Sequence, residues 1–353
     1  MHLSRLVPTF AALLGGVCAL VPASEPTLAR SVPATTGAIR PTIPPIPQQV
    51  YARIQPTNQD KTAIIPFETA PFPYSGNVAS SDQPFLNVED KGRLGHRTFF
   101  GHTYWQDETY SDDRVLLHIP KGFDIRRPSV MIVYFHGHGA TLRRDVLYRQ
   151  RLPAQITASG VNAVLVAPQF ASDASDSSAG KFWQPGAFAK FVGEAAQKLA
   201  KLHGDQRSVR TFASMPIIMV AYSGGYLPAA WCASKGGLMK RVRGVVLLDA
   251  LYGELGKFAS WISNDRSAFF VSTYLGSTEG KNAEMERVLA DNQIDYATWL
   301  EPRLVPGTPG IEVVTASAIA PENGLVSSLT TNAERDTASC QGPANGQPDS
   351  GQR

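Results

Sequence analysis

The apolar run Pro216-Ile217-Ile218-Met219-Val220-Ala221 leads directly into Tyr222-Ser223-Gly224-Gly225. A β-branched strand ending in small-x-Ser-x-small predicts a sharp strand-to-helix turn. Only small residues fit two positions either side of such a serine, and its hydroxyl is pushed out at the head of the next helix. Glycine is usual at both flanks; here they are Ala221 and Gly225, and alanine adds only a methyl, so the steric logic holds. A serine in this position suits nucleophilic attack on an acyl carbonyl. That chemistry also needs N–H donors for the developing oxyanion and a base for the hydroxyl proton.

The donors have a candidate. His136-Gly137-His138-Gly139-Ala140 follows the apolar run Val130 to Phe135. A glycine-rich turn after a buried strand can aim backbone N–H groups at one point, and with the N–H of Gly224 it would cradle a tetrahedral oxyanion. The plainer reading is a tight connection that needs glycines only to turn. Asp249 ends the run Val245-Val246-Leu247-Leu248. A carboxylate at the tip of a buried strand is costly unless paired or wet. It reads either as an acid that orients a histidine or as a cap on the turn near Tyr252-Gly253. After the next strand, Ala268 to Thr273, the sequence offers only Tyr274, Thr278 and the more distant Glu279.

The base is missing from its expected place. All seven histidines, at positions 2, 96, 102, 118, 136, 138 and 203, precede Ser223. In Ala316 to Gly324, after the last expected strand, Glu322 is the one titratable group. A glutamate with its ordinary pKa near ~4.3 is poorly matched to a serine hydroxyl. His136 or His138 can reach Ser223 only from the side where the oxyanion donors lie. Asp173, Asp176, Ser177 and Ser178, in a polar loop with Trp183 and Pro185, read equally as a substrate wall or as plain surface. Tyr222, Tyr226 and Trp231 read as core packing.

Strands and helices alternate around these residues. Thr103-Tyr104-Trp105 and Arg114 to Pro120 read as two antiparallel strands, with a turn at Lys121-Gly122-Phe123-Asp124. Continuous apolar runs at 130–135, 162–167, 216–221, 244–248, 268–273 and 311–315 read as strands buried on both faces. Helices are expected at 146–159, broken or kinked at Pro153, then at 188–203, 224–234 and 282–292. The fold class is therefore α/β: a mostly parallel sheet with helices on both faces, and ligands at the carboxyl ends of the strands.

In this order of elements, from about Arg114 to Thr315, the chain resembles the α/β-hydrolase family, and within it the secreted esterase- or lipase-like members. The resemblance rests on the Ser223 turn and the His-Gly segment. It implies an eight-stranded sheet and a serine, an acid and a histidine acting together on esters or related acyl bonds. It implies Ser223 as nucleophile and Asp249 as the acid, one strand earlier than is usual. The oxyanion hole would be the backbone of Gly224 with that of His138 or Gly139, and His136 a structural residue beneath the loop. The family's histidine after the last strand has no counterpart here. Two expectations follow: a serine esterase-like hydrolase acting on a small-molecule acyl or ester substrate, or a hydrolase-fold binding protein that lacks the general base. A C-terminal portion altered relative to its relatives is a third.

Composition bounds the rest. The 353 residues are 43% hydrophobic and 18% charged, enough for one large core, which is expected over 50–329. A net charge of +3, with no Lys/Arg run longer than a pair, argues against a nucleic-acid partner. His2 and Arg5 precede an apolar stretch, Leu6 to Ala23, that ends in Val21-Pro22-Ala23. Residues 1–23 thus read as a secretory signal peptide cleaved after Ala23 or Ala29, or else as an uncleaved anchor. Cleavage would leave a secreted or periplasmic protein without stable membrane insertion. Residues 24–49 read as a Pro-rich spacer and 330–353 as a disordered tail. Cys232 and Cys340 can form a disulfide only outside the cytoplasm, no Cys/His cluster has zinc spacing, and no cofactor fingerprint is present.

Overall fold

A computed structural model describes residues 56–79, 81–238, 240–265, 268–298 and, as backbone, 313–317. The segments read as signal peptide, spacer and tail, together with Glu322 and Cys340, lie outside the described residues.

The central sheet has nine strands. They are β1 (Lys61–Pro66), β5 (Arg114–Ile119), β6 (Val130–Phe135), β7 (Ala163–Pro168), β8 (Ile217–Tyr222), β9 (Val242–Leu248), β10 (Phe269–Tyr274), β11 (Tyr296–Ala297) and β12 (Val313–Ser317). In space the order is β1-β5-β7-β6-β8-β9-β10-β12-β11. β5 pairs antiparallel with both β1 and β7, and every later pairing is parallel. The two-residue β11 carries the sheet one strand beyond the eight expected.

A second sheet, β2 (Val88–Asp90), β3 (Arg93–Arg97) and β4 (Thr103–Trp105), is antiparallel. It corrects one expectation: Thr103–Trp105 pairs with β3 and not with β5. Residues 50–100 show little periodicity because β2 and β3 are short and mostly exposed, so neither face imposes an alternation.

The apolar runs form strands because both sheet faces are covered: β6, β7 and β8 are buried at every position. On one face lie α2 (Leu152–Ser159) and the π-helical turn Leu142–Arg149 before it, packed on Ile132, Tyr134, Leu165 and Val220. On the other lie α3 (Ala187–His203), α4 (Val209–Ser214), α5 (Tyr226–Lys235), α6 (Leu255–Asn264) and α7 (Gly276–Asp291). They contribute Phe188, Phe212, Trp231, Phe258 and Met285 to the larger core. The four-residue α1 (Gln106–Thr109) closes the small sheet.

Pro153 does not kink one long helix. It sits in the first turn of α2, where its missing N–H has no partner to lose, and the break falls at Arg151, which has φ +52°. α7 begins six residues before the expected start at 282, and α6 was not expected at all. Cys232 is buried inside α5.

Candidate active site

Strand order puts the chemistry-bearing residues at one edge. Phe135 of β6 is level with Ala221 of β8, and Tyr222 is level with Leu248 of β9. The segments that leave these strands, at His136, Ser223 and Asp249, therefore emerge side by side at the carboxyl end. From β6 the chain crosses to β7 on one side and then returns to β8 on the other. Between β6 and β8 the connections diverge, and an α/β sheet binds its ligands beyond the carboxyl ends of its strands at such a point.

Ser223 stands at that point. It follows β8 directly, opens the helical turn Ser223–Gly225 that feeds α5, and has φ +49°, with its side chain partly exposed. A left-handed serine between a buried strand and a helix has the strained geometry of an elbow turn. Here the strand order, antiparallel at β1-β5-β7 and parallel thereafter, meets the elbow after β8. The chain has the α/β-hydrolase fold.

Close packing at this α/β-hydrolase elbow accounts for its small residues. A Cβ on Gly225 would lie 2.4 Å from the carbonyl oxygen of Phe135, a backbone atom that cannot swing aside. Gly225→Ala is therefore expected to destabilise the fold by about 1–3 kcal/mol. That corresponds to roughly 2–12 °C in Tm for a domain of this size, measurable by thermal unfolding. A Cβ on Gly137 would lie 2.9 Å from Cβ of Ser223, so the His-Gly loop packs against Ser223 itself.

His136 is held in one state. The Phe170 N–H donates to its Nε2 at 2.9 Å, with the Gln169 amide at 3.0 Å, and Nδ1 pairs with the Gly137 carbonyl at 2.8 Å. An Nε2 that accepts two donors carries no proton. Complete burial pushes the ring down to about 4, so it is a neutral brace under the loop. Gln169 extends the brace, accepting from the Leu142 N–H and donating to Ala140 O.

Of the two donors proposed for the loop side of an oxyanion hole, Gly139 is committed elsewhere. Its N–H donates to Ala174 O at 2.9 Å, and its carbonyl accepts from Arg144, so its backbone is tied on both sides. The His138 ring packs against Gly224, the residue after Ser223, where a Cβ would meet its Cδ2 and Nε2. The Gly224 N–H, in the first turn of a helix, has no acceptor within that helix. Among the described residues no side chain hydrogen-bonds the Ser223 hydroxyl.

Asp249, with φ +45° and 6% exposed, follows β9. It does not cap the turn at Tyr252-Gly253. Its Oδ1 accepts from the Leu275 N–H at 3.1 Å and from the Thr278 hydroxyl, while Ser277 Oγ stands 3.4 Å from Oδ2. The carboxylate is thus anchored to the start of α7, the loop after the neighbouring strand, where the helix dipole favours negative charge.

Arg144 escaped the sequence reading, and Ser177, read there as substrate wall or plain surface, has a specific partner. Ser177 donates to or accepts from His138 Nε2 at 2.6 Å, bringing the polar loop after β7 onto the site. Arg144 joins Asp145, Asp173 and the Gly139 carbonyl, clamping that loop to the His-Gly segment. Ser177 is 39 positions from His138 and Asp173 is 29 from Arg144, so no local pattern reveals these two pairings. The same loop is held from behind: Asp176 accepts from Tyr110 Oη at 2.8 Å and from Ser178, and Trp183 is buried against Tyr74 and Phe85. Tyr222 and Trp231 are core residues, and Tyr226 is half-buried beside Tyr252. Among the described residues no three His, Cys, Asp or Glu side chains converge as a metal site, and no helix is long and apolar enough to cross a membrane.

No family model and no curated protein matches the sequence. Solved structures do match. The feruloyl esterase module from Clostridium thermocellum, in complex with sinapinate, is 12% identical over 70% of this chain and 89% of its own, with TM-score 0.40. An S-formylglutathione hydrolase from Agrobacterium tumefaciens is 10% identical over 72% of this chain and 95% of its own, with TM-score 0.32. Thermogutta terrifontis esterase 2, phosphoramylated by tabun, is 9% identical over 64% of this chain and 88% of its own, with TM-score 0.35. At such identities and TM-scores, the fold rests on the chain's own strand order and elbow.

Proposed function

We propose that this chain is a serine hydrolase of the esterase type, acting on a small-molecule acyl or ester substrate by acyl transfer through Ser223. The observation that carries the reading is the strained serine at φ +49°, partly exposed, with the His-Gly loop against its Cβ. A backbone held in this conformation costs of order 1–3 kcal/mol, which is maintained where a side chain must be presented. Ser223 Oγ would attack the acyl carbon, and the N–H groups of Gly224 and His138 would receive the oxyanion. The alcohol would leave carrying the serine proton, and water would then cleave the acyl-serine to release the acid and restore the hydroxyl. Asp249, held at the start of α7, would supply the negative charge that supports a protonated base. Residues 1–23 are proposed as a cleaved secretory signal, making the mature protein secreted or periplasmic; N-terminal sequencing of the exported protein checks this.

A specific observation favours a second reading, a hydrolase-fold protein that binds acyl ligands without turning them over. No histidine follows β12, His136 is locked neutral, and His138 Nε2 is engaged with Ser177. Fluorophosphonate labelling separates the two, because the probe reacts only with an activated serine. The wild-type protein is expected to label and Ser223→Ala to show none. Absence of labelling in a folded wild-type protein would establish the binding reading instead.

A further inference from the structure

The hairpin that joins β3 to β4 carries the most exposed apolar side chains among the described residues. Phe99 is 97% and Phe100 80% exposed, their rings edge to face at 5.5 Å. The tip is firmly built. The Thr98 N–H donates to His102 O at 2.8 Å, the Gly101 N–H to Thr98 O at 2.9 Å, and Gly101 takes φ +85°. This is a closed three-residue loop in which glycine supplies the left-handed position. Two phenylalanines project from this hydrogen-bonded tip, uncovered by any of the described residues.

Along the chain the tip has basic but no acidic neighbours. Arg97 and His102 flank the tip, and no carboxylate lies between Lys91 and Gln106. The acidic residues of the small sheet lie away from the tip. Glu89 and Asp90 are at the opposite end, and Asp107 and Glu108 are paired with Arg93, which also stacks on Trp105 at 5.0 Å. The same hairpin is bonded to the loop over the elbow: Ser175 N–H donates to Tyr104 Oη at 3.1 Å, two residues from Ser177.

We propose that this hairpin docks the protein on a bilayer surface carrying anionic lipids, with Phe99 and Phe100 entering the interface and Arg97 and His102 meeting the headgroups. Aromatic side chains with adjacent cations suit the headgroup boundary. The projection is convex, and two rings bury far less than the roughly 800 Å² per partner of a stable protein interface, which argues against a second copy as the occupant. The consequence for substrate rests on the acyl-hydrolase reading: the hairpin would bring Ser223 to esters held in a lipid surface.

Binding is measured on the full chain carrying Ser223→Ala, so that docking stands or falls apart from acyl transfer. Co-sedimentation with phosphatidylcholine vesicles containing phosphatidylglycerol is the assay, against pure phosphatidylcholine. The expected result is binding to the anionic vesicles that weakens with salt. It should fall at least about tenfold in Phe99→Ser/Phe100→Ser, with an unchanged circular dichroism spectrum. No binding, or binding unaltered by the double substitution, overturns the proposal; the latter would assign lipid affinity to another part of the chain, such as the apolar stretch from Leu6 to Ala23. Light scattering that shows a dimer dissolved by the same substitutions also overturns it. With Ser223 intact, the double variant should hydrolyse soluble p-nitrophenyl butyrate as the wild type does and lose about tenfold on a vesicle-borne ester. Equal losses on both would refute the surface role.

Discussion

Ser223→Gly is expected to abolish fluorophosphonate labelling and ester turnover while raising the thermal midpoint. Few substitutions at a nucleophile would do both. Loss of the hydroxyl removes the attacking atom. By comparison with serine hydrolases generally, only the ~10³–10⁴-fold assistance of the oxyanion donors and binding would remain. Stability moves the other way because serine at φ +49° carries a left-handed backbone that glycine adopts without steric cost. Relief of that strain is opposed by the greater freedom of glycine in the unfolded chain, about 0.4–1 kcal/mol. The net gain is about 1 kcal/mol, or roughly 2–4 °C for a domain of this size. Parallel labelling and thermal unfolding of the wild type, Ser223→Gly and Ser223→Ala check it. Alanine should lose labelling without the gain in Tm, because its Cβ keeps the strain. A glycine variant less stable than the alanine variant would show that the elbow is not under backbone strain.

Mild acid should destabilise the protein well before its carboxylates titrate. Burial lowers two histidines, His136 and His118, to about 4 from an ordinary 6.5. His136 is held by Phe170 and Gln169, and His118 lies between the hydroxyls of Thr62 and Thr157. Burial also lowers His203. Between pH 6.5 and about 4 the unfolded chain binds these protons and the folded chain does not. Stability is therefore complete above pH 6.5 and falls as pH drops toward 4, by about 2–3 kcal/mol for each of the first two. The paired carboxylates of Asp112, Asp124, Asp205 and Glu194 are lowered from their ordinary values, so their contribution is lost only at still lower pH. Urea midpoints across pH 7.5 to 4.5 measure the slope, and His118→Gln should flatten it. A midpoint that does not change over that range would mean the buried rings are already protonated in the fold.

The two expectations draw on different levels of information. Much of the first was legible along the chain. The strand at 216–221, small residues around Ser223 and a His-Gly segment after an earlier apolar run are local patterns, and backbone sterics at a tight turn act over a few residues. The same holds for the buried parallel strands, whose unbroken apolar runs reflect burial on both faces. The second needed tertiary contacts: nothing in the sequence around His136 says that an N–H from Phe170 occupies its Nε2.

The sequence alone determined the fold class, the serine, the glycines packed about it and the absence of any histidine after position 203. Tertiary structure decided which of those residues meet. It committed the Gly139 N–H to Ala174, turned Asp249 toward the start of α7, and brought Ser177 to His138 and Asp173 to Arg144 from distant segments. It also moved Thr103–Trp105 into a separate sheet whose tip exposes Phe99 and Phe100. The physical reason is range. Periodicity and turn sterics are set by neighbours along the chain, whereas a hydrogen bond between residues tens of positions apart depends on the crossing order of strands, which no local pattern encodes.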